Sequence, residues 1–136
     1  EGGIYTPALP FAESDNTKLY ATVSTNREIK LSSWPKNHEA FRVEIRFDGK
    51  IANRTPITVS MNWYREGSNF PLFVFTGTIP PARDKGFDWW DWYFFRSWIG
   101  TDFQENDEIT VPGIYVCRIH SSQLSGYRDI FFRVTP

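Results

Sequence analysis

The chain has 136 residues, with 15 basic against 16 acidic side chains and a net charge of −1, and no long run of one sign. This balance argues against nucleic acid or an acidic membrane as a partner, because both require a concentrated basic surface. No apolar run approaches the roughly 18 residues of a membrane-spanning helix. Aromatic residues make up 18% of the chain, which exceeds the needs of a small core, so we expect some of them at the surface.

The first residues differ from the remainder in composition. We expect an N-terminal tail or arm over residues 1–16 and a single β-sandwich domain over residues 17–136. The segment contains Pro7 and Pro10 together with four apolar side chains, Ile4, Tyr5, Leu9 and Phe11. It can be a loose tail, an edge ribbon on the body, or a self-assembly arm that adds a strand to the next copy. The two prolines weigh against the last option because each removes a backbone donor.

Strand signals recur along the first half of the chain, and helical signals are nearly absent. Residues 18–23 and 29–31 are candidate strands. Residues 41–47 alternate apolar and charged side chains, which predicts a half-buried antiparallel strand, and Asp48-Gly49 predicts a turn after it. Residues 57–63 repeat the alternation and end on Trp63.

The second half continues the pattern. Residues 72–79 carry apolar side chains on both faces, which predicts a strand covered on both sides. Residues 108–111 predict a short strand, and residues 114–119 and 128–135 predict a hairpin. With the aromatic segment at residues 89–99, the count is seven to nine short strands, which predicts an all-β, antiparallel two-sheet sandwich.

Two short motifs point to a family. Trp63 lies in an Asn-Trp-Tyr-Arg run, and Tyr115 and Cys117 lie in Gly-Ile-Tyr-Val-Cys. In these motifs and in strand count the sequence resembles the immunoglobulin-like superfamily, with Trp63 as core tryptophan and Tyr115 as corner tyrosine. The resemblance implies an immunoglobulin-like sandwich of 7–9 strands. The expected partner of Cys117 is apolar, either Ile45 or Val43, so the hallmark disulfide is missing.

Metal and cofactor sites find little support. The single cysteine excludes an intrachain disulfide and a thiol cluster for a metal, and we expect Cys117 to be a buried, reduced thiol. Four acidic residues follow Gly100, and they form no calcium-binding loop motif: Asp102, Glu105, Asp107 and Glu108. A solvated loop is the simpler reading, with a calcium site as the open alternative. We expect no cofactor and no resident metal.

Catalytic equipment is also sparse. His38 and His120 have no paired nucleophile motif, and there is no glycine-rich phosphate loop. Asp88 and Asp91 resemble a glycosidase carboxylate pair in type, but their spacing puts them on opposite faces of a strand. We therefore expect no enzyme activity and no catalytic residues. Asn53 begins an Asn-Arg-Thr glycosylation pattern, which the proline that follows disfavours.

The aromatic segment at residues 87–98 is the strongest functional candidate, because its four tryptophans cannot all enter one sandwich core. In a strand, alternate side chains take opposite faces, so one set can pack inward while the other meets a partner. Burial of both faces remains the alternative. The candidate binding residues are Trp89, Trp90, Trp92, Tyr93, Arg96 and Trp98.

These observations predict a non-catalytic, extracellular or cell-surface protein, either secreted or anchored by a segment outside this chain. It would bind a protein partner or copies of itself, because Trp, Tyr and Arg are the usual interface anchors. The alternative is a carbohydrate-binding module in which Trp89, Trp90 or Trp92 stacks on a glycan.

Overall fold

In the computed structural model, the described residues are 9–14, 17–23, 26–31, 40–100, 109–122 and 126–136. Within these ranges the chain forms nine strands and one short 3₁₀ helix. The strands are β1 (Leu9–Ser14), β2 (Thr17–Val23), β3 (Glu28–Lys30), β4 (Ala40–Ile51), β5 (Ile57–Arg65), β6 (Phe73–Ile79), β7 (Trp90–Gly100), β8 (Gly113–Ser121) and β9 (Tyr127–Thr135). The predicted all-β class is confirmed, and none of the helices in the described ranges could cross a membrane.

The strands form two sheets. The first, sheet A, has the order β1-β2-β4-β7, and the second, sheet B, has the order β3-β9-β8-β5-β6. Neighbouring strands are antiparallel except β3 and β9, which pair in parallel from Glu28 opposite Arg133 to Lys30 opposite Thr135. The expectation of wholly antiparallel sheets is therefore wrong at this edge, where β3 comes from the start of the chain and joins the last strand.

The inward faces follow the predicted alternation. Phe41, Val43, Ile45 and Phe47 of β4 are all buried, and so are the odd-numbered residues of β5 from Ile57 to Trp63. The intervening side chains face outward because successive residues of a strand point to opposite sides. A two-residue apolar period thus builds one wall of the core from each sheet.

Trp63 occupies the centre of this core. It lies directly opposite Cys117 in the β5–β8 register, and both side chains are 0% exposed. The Trp63 ring lies 5.5 Å from that of Phe132, which stacks on Phe41 of the other sheet at 4.5 Å. The Trp63 indole Nε1 donates to Ser97 Oγ at 2.8 Å, and this buried hydrogen bond joins β5 to β7 across the sandwich. The expected enclosure of Trp63 and Cys117 is confirmed.

The edges of the two sheets meet where β6 approaches β7. Phe75 and Phe95 have ring centroids 5.9 Å apart. A Cβ atom placed on Gly77 would lie 2.5 Å from the Phe95 ring, so only glycine lets the ring approach this closely. β6 is therefore an edge strand, and Phe73 and Val74 are 40% and 50% exposed. The expectation that residues 72–79 are covered on both faces is wrong.

Two further local predictions are wrong. Asp48-Gly49 does not end the strand, because β4 continues to Ile51 with a register shift between Asp48 and Ile51 against β7. Such a bulge absorbs the turn-forming residues within the strand. Residues 109–111 form no strand, although Ile109 is buried and its N–H donates to the Gly100 carbonyl.

Candidate binding surface

β7 is the outer strand of sheet A and carries most of the aromatic segment. Along it, Ser97 and Ile99 are buried and Phe95 packs on the core, while the residues between them face solvent. The alternation arises because β7 pairs with β4 in one continuous register from Ala40 opposite Gly100 to Asp48 opposite Trp92. One face of β7 is thus fixed inward, and the other is presented outward.

The outward face carries three large aromatic side chains, which we call the aromatic stripe: Trp92, Phe94 and Trp98. Their exposed fractions are 53%, 37% and 48%. The Trp92 and Phe94 rings stack at 5.3 Å with an 18° interplanar angle. The stripe therefore includes a pre-ordered aromatic pair, with Trp98 further along the same strand.

Arginines accompany the stripe on the same face. The register places Arg42 opposite Trp98 and Arg46 opposite Phe94. The Arg42 guanidinium lies 5.7 Å from the Trp98 ring, and that of Arg96 lies 4.8 Å from the Phe94 ring. Cation–π contacts at such exposed sites contribute about 0.5–1 kcal/mol each. They orient the arginines along the stripe.

One exposed ion pair lies beside the stripe. Arg96 Nε donates to Glu44 Oε2 at 3.1 Å, with the Arg96 side chain 54% exposed. A solvent-exposed pair of this kind adds little to folding stability. Its main effect here is to hold the Arg96 side chain across sheet A, next to Phe94.

Trp89 precedes β7 and forms a separate exposed cluster. Its side chain is 41% exposed. Its indole Nε1 donates to Asp91 Oδ1 at 2.9 Å, and Lys50 Nζ lies 4.4 Å from the ring centroid. One hydrogen bond and one cation therefore already engage this tryptophan.

Trp90 and Tyr93 lie elsewhere. Both are partly buried and pack against the core. Trp90 Nε1 donates to the Pro80 carbonyl at 2.9 Å, and its ring meets that of Tyr93 edge-on at 5.2 Å. Of the six candidate residues, four are exposed and two face inward. Phe94 was absent from that set, although its two-residue spacing from Trp92 places it on the same face.

The predicted self-assembly arm lies only partly in the described ranges. Leu9 and Phe11 belong to β1, which pairs with β2 of the same chain, with Leu9 opposite Ala21. Pro10 is in the same strand, consistent with the confinement of proline to sheet edges. Ile4 and Tyr5 fall outside the described residues.

The remaining chemical candidates are dispersed. His38 and the acidic residues 102–108 lie outside the described ranges. His120 is exposed, with its ring 5.6 Å from that of Tyr127. Asp88 and Asp91 are exposed. In the part of the chain that the structure describes, no group of three or more His, Cys, Asp or Glu side chains could hold a metal ion.

Comparison with known proteins gives a likeness of fold. No family model and no curated protein matches this chain. It is similar in structure to the β-glucosidase of Listeria innocua in complex with glucose, with a TM-score of 0.50 and 8% identity over 88% of this chain. The chain spans 16% of the length of that β-glucosidase. It also matches chicken MD-1 complexed with lipid IVa over 93% of this chain and 96% of that chain, at a TM-score of 0.31 and 7% identity.

Proposed function

We propose that this chain is a non-catalytic immunoglobulin-like domain of an extracellular or cell-surface protein. In this proposal it binds a protein partner, or a copy of itself, through the outer face of sheet A. The observation that carries the proposal is the aromatic stripe with its neighbouring arginines on β7 and β4. The location follows from analogy with other domains of this architecture.

Three features support the immunoglobulin-like assignment. Trp63 and Cys117 are paired on neighbouring strands of one sheet. The Tyr115 hydroxyl donates to the Val111 carbonyl at 2.6 Å, the contact that defines a tyrosine corner. The two sheets together bury the face of β4 on which the usual second cysteine would lie. There Val43 and Ile45 stand in its place, and both are 0% exposed.

The composition and size of the surface support protein binding. Aromatic residues and arginine are enriched in the cores of protein interfaces. A large aromatic side chain offers roughly 150–250 Å², so three about half exposed present roughly 250–350 Å². A patch of about that size is often functional in a monomer. A standard interface buries about 800 Å² per partner, so Arg42, Arg46 and Arg96 would lie within the same footprint.

The same contacts weigh against a carbohydrate-binding module. A sugar ring stacks on a free aromatic face, but cations already lie over Trp89, Phe94 and Trp98. Trp90, another tryptophan considered for this role, packs inward. A protein can use the cations as well as the rings, which is why we place protein binding first. The exposed Trp89–Asp91 pair is the feature that keeps the glycan alternative open.

Self-association provides the direct test. Sedimentation velocity over about 1–200 μM would compare the wild type with Trp92→Ala/Trp98→Ala, since μM affinity corresponds to about 8 kcal/mol of binding. If copies bind through this face, the variant stays monomeric where the wild type associates. Phe131→Ala is the matched control, because Phe131 is also 48% exposed but lies on sheet B.

Partner binding requires a second measurement. Extracellular fractions from the source organism are passed over immobilised wild type, the double variant and the Phe131→Ala control. The proposal expects a protein that the wild type and the control retain and the double variant loses. A monomeric wild type that retains no such protein would contradict the proposal.

A further inference from the structure

A second concave surface lies on the outer face of sheet B, away from the aromatic stripe. It is a cavity of about 330 Å³ between β5, the β5–β6 turn, β8 and β9. The residues that matter for its chemistry are Tyr64, Ser68, Asn69, Arg118, Asp129 and Phe131. Pockets for small ligands begin at about this volume.

Strand register explains how the cavity forms. Tyr64, Val116 and Phe131 lie side by side on β5, β8 and β9, so two rings flank a buried valine that forms the floor. The wall is the turn after Arg65, where the Ser68 N–H donates to the Arg65 carbonyl. Gly67 has φ +89°, which glycine adopts without strain, and this closes the turn.

Arg118 is the fixed polar group of the cavity. Its Nε and Nη2 donate to the two carboxylate oxygens of Asp129 at 2.9 and 3.0 Å. Its guanidinium lies 4.0 Å from the Tyr127 ring and 5.7 Å from the Tyr64 ring. The hydrogen bond from Asp129 raises the pKa of Arg118, which stays charged. A guanidinium held in this way loses little conformational entropy when it donates its remaining hydrogens to a ligand.

The charges that line the cavity balance. Arg118 is matched by Asp129, and Arg65 is matched by Glu66 along the turn. A phosphate or an acidic ligand would need surplus positive charge, and a cation would need surplus negative charge. What remains available is donors beside acceptors, together with the Phe131 ring, which is 48% exposed. This combination suits a neutral ring bearing several hydroxyl groups.

We propose that this cavity binds one sugar unit of a neutral glycan. Vicinal hydroxyls of the sugar would accept from Arg118 and donate to Asp129, while its C–H face lies on Phe131. The site is separate from the tryptophans of β7 and does not depend on the protein-binding proposal.

The test is an NMR titration of ¹⁵N-labelled protein. The probes are methyl glycosides of glucose, galactose, mannose, N-acetylglucosamine and N-acetylgalactosamine, and the β- and α-linked disaccharides of glucose. Concentrations reach about 50 mM, because single-sugar sites of millimolar affinity correspond to only about 4 kcal/mol. We expect saturable shifts for at least one probe at the amides of residues 64–69 and 131 and at the Arg118 Nε–H.

Variants locate the binding. Phe131→Ala and Arg118→Lys should each weaken the affinity about ten-fold, equivalent to about 1.4 kcal/mol. Arg96→Ala removes the comparable exposed ion pair on sheet A and should change the affinity by less than about two-fold. Amide spectra with wild-type dispersion verify that each variant is folded.

Two outcomes would overturn the proposal. One is the absence of a saturable shift with every probe. The other is a set of shifts centred on residues 89–98, which would assign sugar binding to the tryptophans of β7 instead.

Discussion

Removal of the buried hydrogen bond between Trp63 and Ser97 tests how the two sheets are held together. Both side chains are buried, and the indole Nε1 donates to Ser97 Oγ at 2.8 Å. Ser97→Ala leaves the indole N–H without a partner in an apolar core, which costs about 1–3 kcal/mol. Trp63→Phe removes the donor and part of the ring, and we expect a loss of about 1–3 kcal/mol from packing.

The double variant distinguishes the hydrogen bond from general packing. Once Trp63 is phenylalanine, no N–H is left to be stranded, so Ser97→Ala should cost about 1–2 kcal/mol less than in the wild type. Urea unfolding followed by far-ultraviolet circular dichroism gives each free energy, since the six tryptophans would complicate fluorescence. Ser60→Ala on the outer face of β5 is the control, with an expected change within about 0.5 kcal/mol. Additivity within about 0.3 kcal/mol would refute the assigned bond.

Three further predictions concern stability. Gly77→Ala should lower the free energy of unfolding by about 1–3 kcal/mol in thermal or urea unfolding, because its Cβ would meet the Phe95 ring; the same loss in a Phe95→Ala background would contradict this cause. Asn53→Ala should cost about 1–3 kcal/mol in urea unfolding, because Asn53 Nδ2 lies within 3.0–3.2 Å of the carbonyls of Thr55, Ile79 and Pro80. Burial, and to a smaller extent Asp129, raises the pKa of the Cys117 thiol, so above about pH 8.5 the unfolded state releases this proton first and stability falls by up to about 1.4 kcal/mol per pH unit. Cys117→Ala should flatten that decline, and an unchanged slope would count against it.

The two proposed surfaces lie on opposite sheets, and this makes them separable. The aromatic stripe is on β7 of sheet A, whereas the Arg118 cavity is on the outer face of sheet B. Each surface has an exposed Arg–carboxylate pair and an exposed aromatic residue. A variant on one face is therefore a matched control for the other, and loss of one activity need not affect the second.

The predictions that succeeded rest on local alternation. The period of β4 and β5 in the sequence is enough to identify which of their side chains enter a core. The same reasoning predicted that the aromatic segment has two faces, but not which face is inward. That choice depends on the register of β7 against β4, which places Ile99 opposite Phe41. Trp90 departs from the face of Trp92 next to the bulge in β4, a feature that no local pattern indicated.

The predictions that failed concern what lies beside a strand. Residues 72–79 look like a central strand, yet β6 is at an edge because the chain does not return to pair with its free side within the described residues. The Arg118–Asp129 pair joins residues of different strands through the β8–β9 register. The sequence alone shows neither arrangement.

For this protein, the amino-acid sequence by itself determined the all-β class, the inward faces of the main strands and the pairing of an aromatic surplus with scarce catalytic groups. These depend on side-chain alternation, which is a property of neighbouring residues. Only the tertiary structure decided which rings are exposed, which strands are edges and where Arg118 meets Asp129. These depend on strand register and sheet order, which are set by packing between residues far apart in the chain.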